Sequence, residues 1–189
     1  MMEFLSDRVS VQRKAGTTTV VISPRLPRGQ QALLLAWTVA WTCCGIAVAI
    51  VGLGLPAGRE RSFALAYLAF WAYFEYRLVR VLLWRLKGFE KWRVKDGVLT
   101  VKDDILGFGR ATDHFVENIR EPGLLAVDRR SWAWQLNGSF WVMGGERIGF
   151  EHHGRKVALG KGLTEQEAVR LVKVLKEALR QARRPEGRP

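Results

Sequence analysis

Cysteine is scarce: 189 residues hold two, Cys43 and Cys44. As helical neighbours they point about 100° apart, which excludes a disulfide between them or a zinc site and leaves them as small packing residues. Histidine is also rare, with three residues. The adjacent His152 and His153 would face opposite sides of a strand, a poor chelate, so they read as turn and solvent residues. Asp103-Asp104 resembles a magnesium pair in composition only and reads as a bulge or strand end. The sequence lacks a nucleophile elbow, a phosphate-binding loop, a dinucleotide fingerprint and any set of acid, base and nucleophile. An enzyme is therefore disfavoured, with no catalytic residue, metal ligand or cofactor to assign.

Charge is missing altogether from the 24 residues Ala32 to Leu55. At about 1.5 Å per helical residue this run crosses a hydrocarbon core of roughly 30 Å. About thirty residues precede it and it is too long for a signal-peptide core, so the anchor is expected to stay in the mature protein. The turn Leu55-Pro56-Ala57-Gly58 forces a second, antiparallel helix from near Ser62 to about Leu86. Only Ser62 to Phe74 of that helix is uncharged. Completing a span then requires Arg77 and Arg80 to snorkel, or the helix to project beyond the lipid.

Acidic residues are in deficit, 18 against 30 basic, for a net charge of +12. The excess is +3 before Ala32, +1 in the loop 56–61, +2 across Ser62 to Leu86 and +6 from Lys87 onward. Basic flanks around a nearly neutral loop place both termini in the cytoplasm and the loop outside, in a multi-pass membrane protein. The divisions expected are a β-hairpin over 1–29 that joins the later sheet, a transmembrane hairpin over 30–86, a cytoplasmic domain over 87–182, and a disordered tail over 183–189.

Within 1–29, Val9 and Val11 alternate with polar residues and Ala15-Gly16 turns the chain into Thr17 to Ile22. After Gly88 the period is two. Lys91 to Lys95 and Val98 to Lys102 flank Asp96-Gly97, a strong hairpin signal. Further strands are expected at Gly107 to Phe115, within Val116 to Val127, and at Arg147 to Glu151 and Arg155 to Leu159, with a loop over Asp128 to Gly145. Thr164 and Glu167 form a capping box, and Ala168, Leu171, Val172, Leu175, Leu179 and Ala182 share one face of a closing amphipathic helix. The fold class expected is a membrane α-helical hairpin plus an α+β domain: a small antiparallel sheet or open barrel capped by that helix, in the manner of pleckstrin-homology (PH) domains.

The segments DGVLTVKDDILGFGR, NIR and GERIGFEHHGRKVALGKGLTEQEA resemble a widespread group of bacterial membrane proteins with two transmembrane helices followed by a PH-like domain. The resemblance runs from about Thr17 to Ala182 and implies fold and placement, with no site residue. The charged set Glu75, Arg77 and Arg80 departs from the more uniformly apolar second helix of that group.

Three groups of residues are singled out. Arg25, Arg28, Arg77, Arg80, Arg85, Lys87, Lys91 and Arg93 form a basic collar at the cytoplasmic surface, as topology determinants or as attractors of anionic headgroups. Glu75, roughly 16 Å from the cytoplasmic helix end, matches the depth of Thr42 on the first helix. A helix contact, a proton path or an interfacial position are all open to it. Trp132, Trp134, Phe140 and Trp141 crowd one loop, where a core, bilayer-interface or protein-binding role is open. The function expected is a non-catalytic membrane adaptor or accessory subunit. Its partner is a membrane protein or a second copy, with no nucleic acid and no small-molecule substrate. The alternative is an anionic-lipid-sensing module.

Overall fold

Val9 and Val11, and Thr18, Val20 and Ile22, alternate with solvent-facing neighbours, so two strands each turn one face to a shared core. The computed structural model describes residues 2–125, 132–137, 139 and 141–183. Among these the chain is an α+β protein with two antiparallel sheets and three long helices. The first sheet is a meander of β1 (Met2–Ser6), β2 (Val9–Lys14), β3 (Thr17–Ile22), β4 (Gly88–Lys95), β5 (Val98–Ile105) and β6 (Ala111–Phe115), in that order. Between β3 and β4 the chain leaves the sheet to form α1 (Arg28–Gly54) and α2 (Arg59–Lys87). It then returns to pair Ile22 with Glu90 and Thr18 with Val94. This pairing holds the start of α1 beside the end of α2, so the two helices run antiparallel.

The second sheet consists of β7 (Ile119–Leu124), β8 (Ile148–His152) and β9 (Arg155–Leu159). The single small sheet or barrel read from the strand succession is thus divided in two. A 3-10 turn over 116–118 separates β6 from β7, which pairs with β8 instead of continuing the meander. β7 runs through Pro122-Gly123 with a register shift between Arg120 and Gly123, a bulge that relieves the missing proline donor. The strand expected from Gly107 begins only at Ala111. Ile105 and Phe108 exchange two backbone hydrogen bonds of 2.9 Å and close a turn there. The stretch expected as loop contains α3 (Trp132–Asn137).

Asp96 and Gly97, with φ of 49° and 74°, make the tight connection from β4 to β5, the left-handed pair that a two-residue hairpin requires. The last helix, α4 (Glu165–Arg183), buries Ala168, Leu171, Leu175 and Leu179 against both sheets. Its capping box is formed: Thr164 N–H donates to Glu167 Oε2 at 2.8 Å, and Glu167 N–H to Thr164 Oγ1 at 3.3 Å. Glu167 also accepts from Ser6 Oγ and, at 2.8 Å, from Arg8 Nη2, fastening the N-terminal strands to α4. Arg183 closes the far end on the carbonyls of Val116 and Ile119.

His114 of β6 meets Phe150 and His152 of β8 edge-on, with centroids 5.3 and 4.7 Å apart. Burial first and the His152 charge second hold the His114 imidazole below its ordinary range, against the pull of Asp113. Burial and His153 lower His152 as well. A depressed imidazole contributes stability above the unfolded-state value of about 6.5, and this is lost as pH falls through the folded value. The thermal midpoint is therefore expected to fall between pH 7 and 5.5, and His114→Phe to flatten that fall. An unaltered slope in the variant would show that this ring is not responsible.

Candidate functional site

The junction between helices and domain begins with an apolar cluster. Leu34 of α1, fully buried, packs with Val81 and Leu82 of α2 and with Leu26, Leu78, Trp141 and Met143. Trp141 meets Trp37 edge-on at 6.0 Å. The last turns of α2 are therefore largely buried, and the start of α1 packs against them along the face that carries Leu34.

Arg85 lies inside this junction, only 6% exposed. Its Nη1 donates to Pro24 O at 3.4 Å, and its Nη2 to Ser139 O at 3.4 Å and Val142 O at 3.1 Å. The guanidinium also sits 4.8 Å from the ring of Trp84. Arg85 thus clasps the β3–α1 linker and the segment after α3 to the end of α2. It does not belong to an exposed collar.

The other collar residues divide among three surfaces. Arg25 and Arg28 are exposed at the start of α1. Arg25 lines a cleft of about 650 Å³ with Arg8, Gln30 and Thr164. Lys91 and Arg93 follow β4 away from the helices and line a separate depression with Lys14 and Thr19. Lys87 is exposed at the end of α2.

Arg77 and Arg80 face a cleft of about 660 Å³ between α2 and the β5–β6 turn. Tyr73, Tyr76, Arg77 and Arg80 form one wall; Ile105, Phe108 and Arg110 form the other, with Asp103 and Lys161 also lining the cleft. Arg77 Nη1 donates to Tyr73 Oη at 3.2 Å, with the guanidinium 6.0 Å from the ring centre. Lys161 is ion-paired with Asp103. Four cations therefore face one carboxylate.

The β5–β6 turn is firmly built although it projects. Gly107 N–H donates to Asp104 Oδ1 at 2.7 Å. A hydrogen bond from Lys102 holds the Asp104 carboxyl below the usual carboxylate range and, with Gly107 N–H, outweighs burial. At its tip Leu106 is exposed, and Phe108 is 84% exposed. Leu106, Phe108, Arg110 and Lys161 are not among the site residues expected from the sequence, where Phe108 and Arg110 fall in the strand expected over Gly107 to Phe115. The signal available was Ile-Leu-Gly-Phe-Gly after two aspartates, large apolar side chains where a turn should be polar.

Between the helices, Thr42 Oγ1 donates to Glu75 Oε1 at 2.7 Å and also lies 2.8 Å from Thr38 O. Nearby, Trp71 Nε1 donates to Trp41 O at 3.0 Å. Cys43 and Cys44 are exposed thiols, Cys44 Sγ lying 3.7 Å from Tyr67 Oη across the pair. In the tryptophan-rich segment, Trp132 of α3 is 74% exposed. The Trp134 side chain and Phe140 lie outside the described residues.

Among the described residues no group of three or more His, Cys, Asp or Glu side chains is placed to hold a metal. By length and composition one helix, α1, qualifies to cross a membrane. Neither family models nor curated proteins match the chain.

Proposed function

We propose that this protein is a membrane-anchored, non-catalytic adaptor of the bacterial inner membrane. α1 and α2 span the bilayer as a hairpin, the Pro56–Arg61 connection is external, and the α+β domain lies against the cytoplasmic leaflet. The observation that carries this reading is the surface of the helix pair beyond the junction. Val39, Ile46, Ile50 and Val51 of α1, with Phe63 and Phe70 of α2, remain exposed, far more apolar surface than a helix pair in water tolerates.

The junction sets the depth. Thr38 to Gly54 supplies about 25 Å of α1, slightly short of a hydrocarbon core of roughly 30 Å, a mismatch met by local thinning of the bilayer. Trp37 then lies at headgroup level, with Trp41 and Tyr76 about one turn inside the hydrocarbon, near the zone where aromatic side chains collect. Arg80 stands level with Trp37 at the boundary, and Arg77, about one turn below it, snorkels up to the headgroups. Glu75 lies about 6 Å inside the boundary on this account, and its bond from Thr42 ties the two helices together there. The order of strands followed by a closing helix supports a PH-like reading of the domain. The outer edges of β1 and β6 supply backbone groups to which a partner protein can add a strand.

Alkaline carbonate extraction tests this directly. The full chain should stay with sedimented membranes and leave them only in detergent, and a cysteine placed at Ala57 should react with an impermeant maleimide on intact cells. Release into the carbonate supernatant would overturn the anchor; absence of labelling would overturn the topology.

A further inference from the structure

We infer that the cleft between α2 and the β5–β6 turn binds the headgroup of an anionic phospholipid. This rests on the membrane reading and deepens it, because it assigns to one built site what a general basic surface would leave diffuse. At the depth proposed above, Arg80 stands at the hydrocarbon boundary and Arg77 about one turn below it, both reaching a phosphodiester by snorkelling, with Tyr73 and Tyr76 deeper along the same wall. On the opposite wall the β5–β6 turn carries Arg110 and projects Leu106 and Phe108, both exposed. That turn presents apolar side chains to the lipid and a cation beside them, the pattern of a segment that dips into an interface.

The charge balance selects the ligand. Asp103 is neutralised by Lys161, and neither Arg80 nor Arg110 has an ion-pair partner among the described residues. Arg77 is held in place over Tyr73. Guanidinium groups converging on a cavity of about 660 Å³ suit a phosphodiester, which accepts two parallel N–H donors from each. A choline or ethanolamine group would bring a cation into a site that already holds three unneutralised ones. The occupant is therefore a lipid with net negative charge, phosphatidylglycerol being the simplest probe.

The test uses the full chain, delipidated in an uncharged detergent and titrated with dioctanoyl phosphatidylglycerol, dioctanoyl phosphatidylcholine or inorganic phosphate, with lipid adducts counted by native mass spectrometry. Phosphatidylglycerol should bind well ahead of phosphatidylcholine. The double variant Arg80→Gln, Arg110→Gln removes two exposed cations, each contributing about fivefold, and should weaken phosphatidylglycerol about thirtyfold. The lipid-free thermal midpoint should stay unchanged. Equal binding of the two lipids, or a preference that survives in the double variant, would overturn the site. Inorganic phosphate competing as well as the lipid, or a co-purifying protein lost in the double variant in place of lipid, would assign the cleft to another occupant and overturn it as well. Failure here with the chain still in carbonate-washed membranes refutes the headgroup site alone. Release from those membranes refutes the anchor.

Discussion

Glu90→Ala is expected to destabilise the α+β domain by about 3–5 kcal/mol, since each buried donor left without an acceptor costs about 1–3 kcal/mol. The carboxylate is 2% exposed and accepts three hydrogen bonds: from Trp92 Nε1 at 2.6 Å, Gly160 N at 2.8 Å and Lys161 N at 2.9 Å. It thereby fixes β4 of the first sheet to the segment leaving β9 of the second. That segment carries Lys161 into the basic cleft, so losing the anchor should loosen the cleft too. Glu90→Gln separates packing from acceptance: its amide oxygen still serves Trp92 and Gly160, while its NH2 faces Lys161 N–H. About 1–2 kcal/mol should be lost on that account. Denaturant unfolding that ranks the alanine and glutamine variants equally would refute this division.

The same group imposes a pH dependence opposite in sign to that of the capping box. Burial pushes the Glu90 carboxyl above the usual carboxylate range, despite the pull of Gly160, Lys161 and Trp92. Its contribution is therefore full below the unfolded value of about 4.3 and is lost as pH rises through the folded one. Burial raises Glu167 likewise, but bonds from Thr164 and Ser6 and the charge of Arg8 together hold it low. Glu167 contributes above the unfolded carboxylate value and loses that contribution as pH falls.

Gly45→Ala is expected to disrupt the helix pair, whereas Gly54→Ala is not. A Cβ at Gly45 would stand 1.8 Å from Trp71 Cε2, while one at Gly54 would meet nothing within 4 Å. The indole cannot withdraw without breaking its bond to Trp41 O, and spreading the helices would also part Thr42 from Glu75. Overpacking of this kind costs about 1–3 kcal/mol, against a helix-propensity gain of about 1 kcal/mol for replacing glycine. Thermal unfolding in detergent should show a lowered midpoint for Gly45→Ala and an unchanged or raised one for Gly54→Ala. Equal midpoints would show that close approach at Gly45 does not hold the pair together.

Some of the molecule was legible in one dimension because the forces concerned are local. The Asp96-Gly97 turn follows from φ preferences of two residues, and the α4 capping box from groups three positions apart. The uncharged run that makes up most of α1 needs only counting. Depth along two antiparallel helices is arithmetic as well, and it sets Thr42 beside Glu75.

Pairings across long separations were not legible, because burial is roughly proportional to area and carries no address. The 1–29 hairpin is expected to join the later sheet, but nothing near Ile22 names Glu90 as its neighbour, so the strand order and register had to be seen. Arg85 reads like any basic residue at a helix end until three carbonyls from two other segments surround it. Arg110 and Lys161 join Arg77 and Arg80 only because a tight turn stops β5 short and a loop leaves β9 beneath Glu90. Residue chemistry and short-range geometry thus set the helices, turns and charge of this chain. Which cations share a cleft, and which one is buried, depended on contacts between segments tens of residues apart, whose energies no local pattern encodes.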